Sequence, residues 1–351
     1  MTAHADVAFR ERNVRAPSYR CSVHIDEFAY ELPDELIAQQ PVEPRDASRM
    51  LVDLDGAARH HHTRDLASFV RPGDVLVVND TRVLPARLRF QRSTGGAGEL
   101  LLLEERSPST WEALVRPSRK LPTSVRVVFG PDLAVTFGNE LGEGRRIVHV
   151  ETDDLLAALE AHGEMPLPPY ITHRLDDPAR YQTVYADRPA SAAAPTAGLH
   201  LTPAVLDACV TAGARVARVE LVVGLDTFRP IAVDDVADHQ MHSERYRVSA
   251  HAWQTVQDAE RVIAVGTTSV RALESVAVRG ALEGRTDLFI RRPFSFAIVD
   301  VLLTNFHLSR SSLLVMVDAF IGPRWRELYA LAVAERYRML SFGDAMLIAR
   351  R

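Results

Sequence analysis

The sequence predicts an α/β protein that carries a second unit built from strands alone. Apolar runs of strand length over 75–78, 214–223, 261–265 and 299–303 each end in a polar or glycine-bearing segment, and the last two lead into helical patterns. Between Ala86 and Val150, by contrast, short alternating strands recur with no helix among them, which is the pattern of a small barrel or sandwich. At 351 residues the chain also exceeds the usual span of one hydrophobic core, so two domains are expected.

Composition narrows the class. A hydrophobic content of 47% is that of a soluble globular protein. Cys21 and Cys209 stand far apart in no metal-like spacing, which predicts a reducing compartment, the cytoplasm, with neither a disulfide framework nor a zinc site. No stretch approaches the ~18 apolar residues of a membrane span, and residues 1–22 mix acids with arginines and read as a flexible leader rather than a signal peptide. The net charge of −5 does not announce a nucleic-acid binder and leaves room only for a local basic face.

Taken in order, residues 28–33 read as a short strand, and Asp34 to Ile37 as a short helix entered through Pro33. A strand over 50–55 closes at Gly56. The triplet His60-His61-His62 alternates faces if extended, so at most two imidazoles share a side and a solvated turn is the better reading. The buried strand over 75–78 ends in Asn79, Asp80, Thr81 and Arg82, placed either for a ligand or for turn-forming bonds to the backbone. In the strand-only region Arg116, Arg119 and Lys120, with Trp111 nearby, suit a nucleic-acid contact or a solvated loop. A helix over 153–162 stops at Gly163. Pro166, Pro168 and Pro169 then fix an extended path that presents Met165 and Tyr170 as rigid walls. Tyr181 and Tyr185, four apart, share one helix face, for core packing or for stacking on a flat base.

The compact run from Ala192 to Thr202, with Thr196, Gly198 and His200, lets a ligand approach the backbone, and a helix over 203–210 follows it. His239 and His242 are spaced as a metal pair without a third ligand nearby; a histidine beside Glu244 is the better general-base arrangement. After a helix over 250–260 and a strand over 261–265 come Gly266, Thr267, Thr268 and Ser269, expected to cap the next helix (270–278) and form an anion site. This segment lacks the Gly-Lys-Ser/Thr element of a P-loop. The strand over 299–303 runs into Thr304, Asn305, Phe306 and His307 ahead of a helix over 311–320, and a last helix carries Tyr337 and Arg338. The strand ends around Asn79, Gly224, Gly266 and Asn305 are expected to converge on one cleft.

Seven ordered segments carry a resemblance: Met165 to Ile171 (MPLPPYI), Tyr181 to Tyr185 (YQTVY), Ala194 to His200 (APTAGLH), His239 to Glu244 (HQMHSE), Val265 to Arg271 (VGTTSVR), Leu303 to Leu308 (LTNFHL) and Ser341 to Met346 (SFGDAM). In order and spacing the chain resembles the S-adenosylmethionine:tRNA ribosyltransferase-isomerase family of the queuosine pathway from about Phe28 to Ile348. The resemblance implies a large α/β domain (23–62 and 153–351) with an inserted small all-β barrel domain (63–152). It implies transfer and isomerisation of the ribosyl part of S-adenosylmethionine onto 7-aminomethyl-7-deazaguanine at the tRNA wobble position, with loss of adenine and methionine. S-adenosylmethionine is then a substrate, tRNA (its anticodon stem-loop) the partner, and no metal or permanently bound cofactor is expected.

For that chemistry the base is His242 with Glu244, or His200, since neutral imidazole suits proton abstraction near pH 7. Thr267, Thr268, Ser269 and Arg271 would hold the methionine carboxylate. Tyr181 and Tyr185 would line the base pocket with Thr196, Gly198, Asn305 and His307 nearby, and Asn79 and Asp80 would contact the nucleoside. Arg82, Arg87, Arg116, Arg119 and Lys120 would bind RNA. The chain departs from the family pattern at Ala190, Leu201, Asp226 and Arg291-Arg292-Pro293. Those departures keep two rivals open: a paralogue acting on S-adenosylmethionine with a small acceptor or cleaving it, and a non-catalytic binding protein for S-adenosylmethionine or RNA.

Overall fold

The computed structural model describes residues 22–224 and 230–351; the expected leader, Cys21 and Asp226 lie outside the described residues. Numbered along the chain, the strands of the larger sheet are β1 (Arg49–Asp53), β2 (Arg59–His62), β3 (Asp74–Asn79), β12 (Arg215–Leu221), β13 (Glu244–Val248), β14 (Arg261–Val265), β15 (Glu283–Thr286), β16 (Val301–Asn305) and β17 (Ala345–Ala349). Their order is β15-β13-β12-β3-β14-β16-β17-β1-β2. Every residue of β3 is buried, as its unbroken apolar run requires of a strand covered on both faces.

The direction of these strands sets where the chemistry sits. β12, β3, β14 and β16 are mutually parallel, so their C-terminal ends share one edge. β17 runs antiparallel to β16 and β1 parallel to β17, so the residues entering them, Asp344 and Ser48, arrive at that same edge. α3 (Ala250–Gln257), α4 (Thr267–Arg279), α5 (Ser312–Ile321) and α6 (Arg324–Ala334) pack an apolar cluster on one face around Trp253, Leu273, Phe306 and Trp325; α2 (Pro203–Thr211) covers the other with Val205, Leu201 and Cys209.

A second sheet of six strands is wholly antiparallel, in the order β5-β6-β7-β10-β9-β8: β5 (Arg87–Gln91), β6 (Ala97–Ser107), β7 (Thr110–Arg116), β8 (Arg126–Gly130), β9 (Leu133–Gly142) and β10 (Arg145–Glu151). It curls nearly closed: Phe90 of β5 and Phe129 of β8, on its two edges, meet edge to face at 6.1 Å. It encloses its own apolar cluster, to which α1 (Leu155–His162) adds Ala158 and Leu159. The small strands β4 (Thr81–Val83) and β11 (Arg188–Ser191) pair parallel beside it. The strand-only region and its strands are as expected, but β3, which a boundary at 63 puts with the smaller sheet, lies in the centre of the larger one.

Other expectations are corrected. Residues 29–33 form no strand; Ile25–Phe28 is a 3-10 turn, and the segment is held by side chains instead, with Phe28 stacked on Trp325 and the Tyr30 hydroxyl donating to the carbonyl of His307. The histidine triplet is strand β2, not a turn, because it pairs with β1. Tyr181 and Tyr185 share no helix: a 3-10 turn (Pro178–Tyr181) ends at the first. Tyr337 and Arg338 follow α6 rather than lying in it. Ala190 has no positive φ, so the absent glycine costs nothing there. Among the described residues no helix is long and apolar enough to cross a membrane.

Candidate active site

Three of the four expected strand ends, at Gly224, Gly266 and Asn305, converge on one cleft, whereas Asn79 lines no part of it. Gly266, at φ +85°, turns β14 directly into α4, and the Thr196–His200 3-10 turn lies against the end of β16. Between them a narrow recess is lined by Tyr170, Thr196, Gly266, Thr267, Thr268, Thr304, Asn305, His307 and Ser341. It adjoins, through shared Val223, Thr267, Thr268 and Leu313, a larger cavity of about 500 Å³ between the two sheets. The far wall of that cavity comes from the antiparallel sheet, with Glu104, Arg106, Glu112 and Arg145, and the near wall carries His239, His242, Glu244, Arg271 and Arg285. Ion pairing of Arg285 with Glu104, and a 3.4 Å contact of Arg145 Nη2 with His242 Nδ1, tie the two sheets across it.

The histidines divide sharply. His200 is buried with both ring nitrogens engaged, Nδ1 at 2.9 Å from Ser48 Oγ and Nε2 at 2.9 Å from Asn305 Nδ2, and it lines neither cavity. Burial, with Arg338 adding to it, lowers its pKa to about 4. His307 faces the recess, its Nε2 2.9 Å from Thr304 Oγ1, and burial lowers its pKa to about 3. Both are neutral imidazoles near pH 7. His242 is exposed on the wall of the larger cavity.

Glu244 is not simply the partner of His242. Its carboxylate receives Arg271 Nη1 and, at 3.2 Å, the backbone N–H of Gly224, while Arg271 Nη2 donates to the carbonyls of His242 and Thr286. Arg271 thus clamps the start of β13 to β15 from α4, and the guanidinium expected to hold a ligand carboxylate already has an internal anion. Ser269 likewise turns inward, its hydroxyl donating to the carbonyl of Val265 at 2.8 Å, and α4 begins at Gly266 with no side-chain cap. Thr267 and Thr268 remain at the cavity wall; the hydroxyl of Thr268 is buried without a partner among the described residues.

Several other expected residues lie behind the site. The Asn79 amide bonds both backbone groups of Leu221 and so splices β3 to β12. Gly198 makes room for a buried phenol: a Cβ there would stand 1.9 Å from Tyr185 Oη. Tyr181 and Tyr185 are buried, and among the described residues their hydroxyls, with Asp80 Oδ1 and Thr183 Oγ1, have no partner in hydrogen-bonding geometry. Burial, then repulsion from Glu220, raises the Asp80 carboxyl to about 6.

The basic residues form two separate surface recesses. Arg82 and Arg87 line one with Arg89 and Arg174; Arg116, Arg119 and Lys120 line another with Glu140 and Glu143. Arg82 stands 3.7 Å from Glu160 and Arg87 3.8 Å from Glu99. Arg116, Arg119 and Lys120 have no ion-pair partner among the described residues. Among the described residues no three His, Cys, Asp or Glu side chains gather as a metal site. Ser48, Arg106, Glu112 and Arg145 carry no mark in the sequence that singles them out, and Ser341 is marked only as the first residue of the SFGDAM segment. Ser48 and Ser341 stand beside strand starts whose antiparallel course alone brings them to the edge, and Glu112 is an isolated acid on an apolar strand, held ionised against burial by Arg106 and Arg145.

A sheet with ligand-sized space at the ends of its parallel strands, walled by a second sheet, defines an α/β protein built around a small-molecule cleft. Residues 25–348 match the queuosine biosynthesis protein family, and the chain belongs to that family. It is 52% identical over 326 residues to the S-adenosylmethionine:tRNA ribosyltransferase-isomerase of Rubrobacter xylanophilus, spanning 92% of this chain and 97% of that one. It is 49% identical over 347 residues to the protein of the same name from Thermus thermophilus, covering 92% and 99%. The crystal structure of S-adenosylmethionine tRNA ribosyltransferase from Thermotoga maritima is similar at 36% identity and a TM-score of 0.53, over 92% of this chain and 99% of that one.

Proposed function

We propose that the protein is an S-adenosylmethionine:tRNA ribosyltransferase-isomerase of queuosine biosynthesis. The observation that carries this reading is near full-length similarity to relatives of that name, together with a continuous cleft on which six of the seven resembling segments open. The substrates are S-adenosylmethionine and tRNA bearing 7-aminomethyl-7-deazaguanine at the wobble position; the products are epoxyqueuosine-tRNA, adenine and methionine. The departures at Ala190 and Leu201 leave this reading intact, since one has an ordinary backbone and the other fills the core beside α2.

S-adenosylmethionine would lie along the recess and the larger cavity. Its methionine carboxylate would meet the first N–H groups of α4 with the hydroxyls of Thr267 and Thr268, where the helix dipole favours an anion. The sulfonium acidifies a neighbouring C–H, and His242 would take that proton, as it reaches the cavity whereas His200 is enclosed. His307, Asn305 and Thr196 would surround the nucleoside. RNA would cross the smaller sheet, with Arg116, Arg119 and Lys120 on its phosphates and Arg82 and Arg87 on a second contact. The smaller sheet would act as an inserted barrel domain of about residues 87–152 carried by the α/β domain, and the protein would work in the cytoplasm. Adenine release tests the reading: it is expected only when S-adenosylmethionine and the deazaguanine-bearing tRNA are both present, and release with free base alone would point to a small-acceptor paralogue.

A further inference from the structure

Hydrogen-bond polarity can be followed residue by residue from the core into the recess. Asn305, 3% exposed, sends Nδ2 toward the carbonyls of Leu340 (3.2 Å) and Asp344 (3.5 Å), which only accept, so the amide orientation is fixed. Nδ2 also donates to His200 Nε2 at 2.9 Å, which makes that nitrogen the unprotonated one and places the ring proton on Nδ1, facing Ser48 Oγ at 2.9 Å. Ser48 in turn lies 2.7 Å from the hydroxyl of Thr63. With its N–H₂ committed inward, Asn305 presents Oδ1 outward, and Thr196 spends its one hydroxyl proton on it at 3.0 Å.

Thr196 therefore faces the recess with lone pairs alone. We propose that His200 is a positioning residue which, through Asn305, sets Thr196 as an obligate hydrogen-bond acceptor that selects a donor group of the ligand, a ribose hydroxyl or the methionine ammonium of S-adenosylmethionine. This rests on the reading that S-adenosylmethionine is the substrate. Without an acceptor at position 200 the Asn305 amide keeps only the longer bonds to the carbonyls of Leu340 and Asp344 and loses the shortest of its three inward contacts, so Thr196 is held less firmly in direction and ligand affinity falls although His200 touches no ligand.

The test is calorimetric binding of S-adenosylmethionine, 5′-methylthioadenosine and methionine to the full chain and its variants, with melting temperature followed alongside. Thr196→Val, on the recess wall, is expected to weaken S-adenosylmethionine binding about tenfold, the cost of an unmatched buried donor. Thr196→Ser restores it to within about threefold. His200→Leu is expected to match Thr196→Val in affinity loss. His200→Gln, whose amide can accept from Asn305 and donate to Ser48, restores binding, which a merely space-filling role would not require of it. Loss of methylthioadenosine affinity in Thr196→Val assigns the donor to the ribose, and loss of methionine affinity assigns it to the ammonium; either supports the proposal. Variants that bind all three probes like the parent chain overturn it, whereas a parent chain that binds no S-adenosylmethionine overturns the functional reading instead.

Discussion

His242 and Asp80 carry the sharpest expectations at the scale of single residues. His242→Gln keeps a polar side chain in the cavity but removes the proposed base, so turnover is expected to fall at least about 100-fold while S-adenosylmethionine affinity stays within a few-fold. Equal turnover in the variant would return the role to another group, with His307 next in line by position. Asp80 is a buried carboxyl with one unpartnered oxygen and a pKa raised from 3.8 to about 6. The folded chain then holds this proton more tightly than the unfolded one, so stability falls as pH rises from about 4 to about 6 and the loss is complete above it. Asp80→Asn is expected to be level with the parent near pH 4 and more stable near pH 7.5, by about 3 kcal/mol at most, in urea unfolding followed across pH. A constant difference at both pH values would place the ionisation elsewhere.

The turn over Thr196–His200 shows how far an element can be read from its letters. Small residues around Gly198 do mark a segment under tight steric demand, but the demand comes from the Tyr185 phenol rather than from a ligand. Gly198→Ala is accordingly expected to cost about 1–3 kcal/mol of stability, read from the urea midpoint, because a rigid buried ring must move. The strand ends at Gly266 and Asn305 are legible because period, glycine and polar residues all change at the same place. The role of Arg271 is hidden for a physical reason: its partner Glu244 is 27 positions away and arrives only through the pairing of β13 with β12 and β15. The same holds for Ser48 and Ser341, which antiparallel strands bring to the edge, and for β3, whose buried run looks alike in the centre of either sheet.

At the scale of the whole molecule, the proposed function has the two sheets divide the work between a cleft for the small substrate and a surface for the large one. The net charge of −5 makes tRNA binding depend on local cations, and Arg116, Arg119 and Lys120 form one such group on the smaller sheet, without an ion-pair partner among the described residues. Replacing all three by alanine is expected to weaken tRNA binding and to flatten the slope of log affinity against log salt by about 2–3 units, at roughly 0.7–0.9 for each phosphate no longer neutralised. An unchanged slope would move the RNA to the groove of Arg82 and Arg87. Ribosyl transfer itself is tested most directly by following the ribose carbons. S-adenosylmethionine labelled in its ribose is incubated with the protein and with tRNA carrying 7-aminomethyl-7-deazaguanine, and the tRNA is digested to nucleosides for mass analysis. Label is expected in a wobble nucleoside of epoxyqueuosine mass, with adenine and methionine formed in equal amount. Adenine release with no ribose label in the tRNA, or label only in a methyl group, would contradict ribosyl transfer.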